Sequence, residues 1–411
     1  MTQPVSRRTA LKTFALTGLA ALPGPDAEAG LLRRSHDGNV RGKLTGAQAL
    51  VEALISEHTG CVFGIPGAQE NELWDAMKSR KLPYLLVTHE FSAACMADGY
   101  ARSTGRPGVL CVVPGPGVTN ALTGIGEALL DSVPLVCVVG DVARGDKYKP
   151  FQVHELPQVG LLKQVCKGVF EVTHQAEIPA AVHQAFFTAK CGEPGPAAVV
   201  VPYNLLLETF KYDVPPPAEP PLPLDEAAFG RALELLSQRR LRVGIYAGMG
   251  CMDYVAGLAQ VAELLQAPVA TSVSGKGVID ECHPLAVGWG YGPQGTRTAE
   301  EVFKHVDVVL AVGVRYSEVS TAFYAIPKSP HVIHVDINPC NLGKVVRADV
   351  CVHADAGLFF ARLLEHADEV GRGPEPHLHA LIRKLKAEDC RRHRKTYASR
   401  GADPLDRKSV V

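Results

Sequence analysis

From Thr45 onward the apolar positions follow two periods. Ala47, Leu50, Val51, Leu54 and Ile55 recur at the spacing of one helix face, with Thr45 as the N-cap. Short β-branched runs follow at residues 61–65, 84–88, 108–113, 135–139, 168–172 and 197–201, with helical stretches between most of them. Strands that are apolar at nearly every residue, rather than every second one, are covered on both faces. The pattern therefore predicts a parallel sheet with helices on each side. Residues 214–224 interrupt it with a run of prolines, which join neither a helix interior nor a central strand and favour an extended linker. Beyond them the alternation resumes, with strands expected at 242–247, 268–273, 306–312, 331–336 and 349–353 and a helix over 254–265. From about Leu358 the chain reads as helical and charged, and Arg391-Arg392-His393-Arg394-Lys395 is a solvated helix end.

The fold class expected is α/β, two doubly wound parallel-sheet domains. The divisions are a leader over 1–42, a first domain over 43–212, the linker over 213–224, a central domain over 225–362 and a helical tail over 363–411. Apolar residues make up 46% of the 411 positions, enough for more than one core. Lysine and arginine total 42 against 43 acidic residues, a net charge of −1, so nothing calls for nucleic acid or an anionic membrane as partner. The eleven cysteines stand singly, several inside valine-rich runs, with no CxxC pair. That argues against a zinc site or disulfide framework and predicts buried, reduced thiols.

At the amino terminus Ser6-Arg7-Arg8-Thr9-Ala10-Leu11-Lys12 precedes the weakly apolar residues 13–22, and Ala27-Glu28-Ala29 follows as a small-x-small cleavage site. The segment resembles a twin-arginine export signal and is too short to span a bilayer. It points to the periplasm, while isolated cysteines fit the cytoplasm better, so the compartment stays open.

In open parallel sheets, ligands bind beyond the carboxyl ends of the strands. Gly64-Ile65-Pro66-Gly67 follows the first expected strand, His89-Glu90 the second, and Gly115-Pro116-Gly117-Val118-Thr119-Asn120 the third. Singly each is weak, because Gly/Pro turns close many strands and a lone glutamate at a strand end is usually solvated. Three at successive strand ends converge on one crevice. GxxxxGK[ST], GxSxG and HExxH do not occur, and Gly248-Met249-Gly250 lacks the third glycine of a dinucleotide fingerprint. The pairs His331/His334 and His377/His379 read as structural histidines, so no metal site is expected within the chain.

These residues carry a family likeness. Thr88-His89-Glu90 through Ala94, then Ala97-Asp98-Gly99-Tyr100-Ala101-Arg102, resembles the catalytic-glutamate segment of thiamine diphosphate enzymes. Residues 115–120 and 128–135 are similar to the next family segment, GPGxTN followed by A-x-x-DSxPL. Phe151-Gln152, Lys167 and Gly195-Pro196 fall in family order, and Ser274-Gly-Lys-Gly277, Val312-Gly-Val-Arg315 and His334-Val-Asp-Ile-Asn-Pro339 resemble the family's central domain. The likeness runs from about Thr45 to about Ala356. It implies a thiamine diphosphate-binding fold followed by a Rossmann-like central domain.

The resemblance also implies chemistry. Glu90 would be the catalytic carboxylate that hydrogen-bonds the cofactor's aminopyrimidine, so that the pyrimidine deprotonates the thiazolium C2. Gly64, Pro66, Gly67, Gly117 and Asn120 would approach the cofactor, while Phe151, Gln152 and Lys167 would line the substrate side. The lead activity is that of acetolactate synthase, in branched-chain amino acid biosynthesis: pyruvate is decarboxylated and condensed with a 2-oxo acid. The runner-up is a flavin-free 2-oxo acid decarboxylase or another lyase or transferase of the family. A third reading is a non-catalytic remnant or one subunit of a split enzyme.

The family holds the diphosphate and Mg²⁺ in a third domain through GDG and Asn-Asn motifs, neither of which occurs here. Asp403-Pro404-Leu405-Asp406 resembles the start of that domain, so a further domain of roughly 100–200 residues is expected, on this polypeptide or a separate one. Residues 290–296 stand where a GMHG-like segment belongs, and residues 312–316 lack the acidic pair that usually follows, which counts against retention of FAD. A homodimer or homotetramer is implied, because family active sites form between subunits.

Overall fold

The computed structural model describes residues 38–399, except 217, 219 and 220, and side chains to residue 392. The twin-arginine-like leader and the segment 403–406 lie outside the described residues. The chain divides into two compact units between residues 219 and 220.

In the first unit, β1 (Val40–Thr45) leads into α1 (Gly46–Ser56). Thr45 Oγ1 accepts the Gln48 N–H at 3.2 Å, and Gln48 Oε1 accepts the Thr45 N–H at 3.1 Å. This reciprocal cap satisfies two amides that the helix leaves open. Six strands follow: β2 (Val62–Gly64), β3 (Tyr84–Leu86), β4 (Gly108–Val112), β5 (Leu135–Asp141), β6 (Gly168–Glu171) and β7 (Ala197–Pro202). They form one parallel sheet in the order β3-β2-β4-β5-β7-β6. Between them run α2 (Asn71–Arg80), α3 (Glu90–Thr104), α4 (Pro116–Leu130), α5 (Gln158–Val165) and α6 (Ile178–Lys190), with α7 (Tyr203–Leu207) after β7.

Successive strand residues face opposite sides, and both sides are covered. Val109 and Cys111 pack in a core with α1, α2 and α6. Leu110 and Val112 pack in a second core with α3, α4 and α5. Every position of β4 is therefore buried, the reason the runs read as unbroken apolar segments. Because β3 lies outside β2 while β4 takes its other side, the chain leaves β2 and β4 toward opposite faces. That reversal opens a crevice at their carboxyl ends. A second reversal falls between β5 and β7, since β6 is outermost.

The sequence pattern did not anticipate β8 (Thr209–Val214), which pairs antiparallel with β1 from Val40↔Val214 to Thr45↔Thr209. Both strands are largely polar and far apart in sequence, so neither shows a periodicity of its own.

The second unit holds β9 (Val243–Ala247), β10 (Val269–Thr271), β11 (Ala286–Trp289), β12 (Val308–Val312), β13 (His331–Asp336) and β14 (Val350–His353). Their order, β11-β10-β9-β12-β13-β14, is all parallel and is the Rossmann arrangement. The edge strand β11 was not expected. The stretch read as helical and charged from about Leu358 begins inside the helix Ala356–Glu365, which buries Phe359, Phe360 and Leu363. All eleven cysteines are free thiols, but not all are buried. Cys95, Cys191, Cys282, Cys340 and Cys390 are exposed, because they stand outside the central strands. Among the described residues no helix is long and apolar enough to cross a membrane.

Candidate cofactor site at the carboxyl edge of the first sheet

Four segments meet at the crevice between β2 and β4. The turn after β2 is held close to β4 by missing side chains. A Cβ on Gly64 would stand 2.1 Å from the Cys111 carbonyl oxygen, and one on Gly67 would stand 2.1 Å from Val113 Cγ1. Gly117 meets the same valine, its Cβ position lying 2.7 Å from Val113 Cγ2. Gly115 opens α4 at φ +63°, a conformation that only glycine takes freely. Pro66 is exposed on the turn.

Glu90 is the first residue of α3, where the helix dipole favours negative charge, and His89 caps that helix by accepting the Phe91 N–H at 3.1 Å. Glu90 as a whole is 9% exposed. Asn120, from α4, donates Nδ2 to Glu90 Oε2 at 2.9 Å. The other Glu90 oxygen has no protein partner among the described residues.

The long loop after β5 leans over the same crevice. Gln69 Nε2 donates to the Val153 carbonyl at 3.1 Å. The Gln152 amide both donates to Ala143 O at 2.8 Å and accepts the Ala143 N–H at 3.1 Å. Phe151, at φ +66°, is 98% exposed. Phe151 and Gln152 thus belong to a loop at this edge, although the Gln152 amide is committed to the backbone of Ala143.

Lys167 is not brought there. It precedes β6, at the amino edge of the sheet, and its ammonium donates to Thr188 O at 2.6 Å and Cys191 O at 2.8 Å. Those carbonyls close the carboxyl end of α6, where a cation is favoured by the helix dipole. Expected beside the substrate, Lys167 instead caps a helix in this structure.

Two residues of the edge gave no sequence signal. Gln158, buried, accepts the Gly115 N–H at 3.0 Å and donates to Gly140 O at 3.0 Å and Asp141 Oδ1 at 3.1 Å, tying the β4 turn to the end of β5. Glu70, fully buried, has Oε1 3.5 Å from the Trp74 indole N–H and Oε2 without any hydrogen-bond partner. Desolvation raises its pKa to about 8. At the second reversal a cavity of about 470 Å³ is lined by Asp141, Arg144, Gln158, Thr173 and Asn204 among others. Burial raises the Asp141 carboxyl despite its 3.0 Å ion pair with Arg144. Among the described residues no three His, Cys, Asp or Glu side chains are placed to share a metal ion.

A carboxylate with one oxygen open, beside turns whose glycines let the backbone pack closely on β4, suits a heteroaromatic group with a hydrogen-bonding ring nitrogen. The fold around them, a switch-point α/β sheet followed by a Rossmann-like unit, is that of a cofactor-binding α/β protein. Residues 44–164 match the thiamine pyrophosphate enzyme N-terminal TPP binding domain, and residues 229–363 match the thiamine pyrophosphate enzyme central domain. The chain belongs to the thiamine pyrophosphate (thiamine diphosphate) enzymes.

Its relatives include the acetolactate synthase large subunit of Buchnera aphidicola subsp. Schizaphis graminum, 34% identical over 334 residues, covering 78% of this chain and 58% of that protein. The acetolactate synthase large subunit of Parasynechococcus marenigrum is 34% identical over 365 residues, covering 85% of this chain and 58% of the relative. The acetolactate synthase isozyme 3 large subunit of Escherichia coli is 36% identical over 337 residues, with 78% and 58% covered. The chain spans 58% of the length of each.

Proposed function

We propose that this protein is a thiamine diphosphate-dependent carboligase of the acetolactate synthase type, decarboxylating pyruvate and joining it to a second 2-oxo acid. The observation that carries the reading is the Glu90 carboxylate, steadied by Asn120 at 2.9 Å with its other oxygen open, among the glycine turns. Glu90 would accept a hydrogen bond from the pyrimidine half of the cofactor. Gly64, Pro66, Gly67 and Gly117 would lie along the ring, and Asn120 would fix the direction of the carboxylate. When bound, thiamine diphosphate supplies the carbon nucleophile for 2-oxo acids. The loop bearing Phe151 and Gln152 would close over the substrate side, and Mg²⁺ with the diphosphate would be held by residues beyond those described.

An assembly of several copies, with a companion small subunit, accords with two features. The relatives bear the name large subunit. The unpaired edge of the first sheet exposes Tyr84, Leu85 and Leu86, with Phe91 and Met96 on α3, a face that water covers poorly.

Retention of FAD by the second unit is the weaker reading. Tyr246, Tyr291 and Tyr316, near the carboxyl ends of its strands, are buried and packed on one another at 4.9 and 5.4 Å. This favours a flavin-free enzyme, the feature shared with the decarboxylase alternative.

The test uses protein purified from its own cells, with whatever chains accompany it, and follows pyruvate consumption and acetolactate formation against thiamine diphosphate concentration. Glu90→Gln is expected to lower turnover by at least about a hundredfold, within the range for lost general acid–base catalysis. Turnover in Glu90→Gln equal to wild type would refute the assignment. Acetaldehyde as the sole product would favour the decarboxylase.

A further inference from the structure

Gln158, the first residue of α5, is a buried side chain that the proposed chemistry leaves unused. Its Oε1 accepts the Gly115 N–H at 3.0 Å, while its Nε2 donates to Gly140 O at 3.0 Å and to Asp141 Oδ1 at 3.1 Å. Turned over, the amide would set a donor against the Gly115 N–H and an oxygen against two others, so one orientation alone is satisfied. Two chains of contacts lead away from it. On one side the Gly115 carbonyl accepts the Thr119 N–H at 3.0 Å, and the next residue, Asn120, donates to Glu90 Oε2 at 2.9 Å. On the other, Asp141 Oδ2 accepts Arg144 Nε at 3.0 Å, and Arg144 Nη1 lies 3.5 Å from Glu155 Oε1. Glu155 Oε2 in turn accepts the Gln152 N–H at 3.0 Å, in the loop that carries Phe151.

We propose that Gln158 is a positioning residue for the crevice: it fixes the Gly115 turn against the end of β5, and thereby the direction in which Asn120 holds the Glu90 carboxylate. The turn needs support from outside. Gly115 stands at φ +63° and has no side chain with which to cap α4, and an unheld glycine has more backbone conformations open to it than any other residue. Its buried N–H must find an acceptor, so without Gln158 the head of α4 moves toward one. The anchor is rigid, because Gly140 belongs to β5 in the middle of the sheet. Through Asp141, Arg144 and Glu155 the same amide is joined to the loop bearing Phe151, so turn and loop share one anchor. The proposal deepens the reading of Glu90 as the cofactor's carboxylate and rests on it.

The experiment compares the full wild-type chain with Gln158→Met, which keeps the volume and removes all three bonds. In cofactor-free protein carrying isotope-labelled asparagine, nuclear magnetic resonance identifies the Asn120 side-chain amide by its absence from Asn120→Ala. Its hydrogen exchange with solvent should be about tenfold faster in Gln158→Met, the protection lost with one hydrogen bond. Pyruvate turnover, measured with whatever chains accompany the protein, should fall about ten- to a hundredfold in kcat with KM changed by less than about twofold. That split marks a misplaced reacting group rather than lost substrate binding. Unchanged exchange at Asn120 in folded Gln158→Met would overturn the proposal, and so would a wild-type kcat. If Gln158→Met does not fold, Gln158→Asn, one methylene short of the Gly115 N–H, repeats the comparison with the same expected outcomes. Should the wild type show no turnover, the reading of Glu90 fails while the exchange comparison still decides this one, so the two are distinguished.

Discussion

The Glu70 carboxyl makes the stability of the first unit depend on pH in a way one substitution removes. In the unfolded chain the group ionises near its ordinary 4.5, while burial holds it protonated to about 8 in the fold. Below pH 4.5 both states carry the proton and nothing is lost. Between 4.5 and 8 the unfolded state releases its proton and the folded state does not, so stability falls as pH rises. Above 8 the full penalty is present. The slope is about 1.4 kcal/mol per pH unit, which accumulates to about 3 kcal/mol at pH 7 and about 5 kcal/mol above pH 8. Glu70→Gln keeps the shape and the neutral, hydrogen-bonding head, and it has no proton to lose. It should match wild type near pH 4.5 and exceed it by about 3 kcal/mol at pH 7, a rise of roughly 6–12 °C in melting temperature for a unit of this size. The assay is thermal or urea unfolding of both proteins at several pH values from 4.5 to 9. A difference that stays constant across that range would refute the reasoning, because it would mean that Glu70 ionises normally in the fold.

Asn120→Ala removes the donor at 2.9 Å from Glu90. It should reduce turnover about ten- to a hundredfold, near the 1.5–3 kcal/mol of a hydrogen bond to a charged group, with a melting temperature close to wild type. Gly115→Ala forces a side chain at φ +63° and 2.7 Å from the His154 carbonyl oxygen. Urea unfolding should report a loss of about 1–3 kcal/mol. Lys167→Met removes the cation from two helix-end carbonyls. Because the residue remains partly exposed, the loss should be only about 1 kcal/mol, read from the urea midpoint, and a loss in turnover without one in stability would argue for a substrate role instead.

Much of this protein could be read along the chain, because its strands are covered on both faces and each announces itself as a short apolar run. The turns at Gly64–Gly67 and Gly115–Asn120 and the glutamate at 90 were legible for a related reason. A parallel sheet sends its loops to one edge, so successive strand ends share a crevice wherever the chain reverses direction. The polar contributions were not legible. Gln69-Glu70-Asn71-Glu72 is polar throughout and carries no local mark of burial, yet Glu70 is fully buried, with its carboxyl against the end of β5. Lys167 precedes a strand in family order, and only the packing of α6 beside β6 put helix-end carbonyls within its reach. The β1–β8 ribbon joins the two ends of the first unit, a pairing set by where the folded sheet leaves its termini. Hydrophobic burial is periodic and therefore written locally, whereas the partner of a buried charge or of an edge strand comes from distant segments and is decided only when the chain has folded.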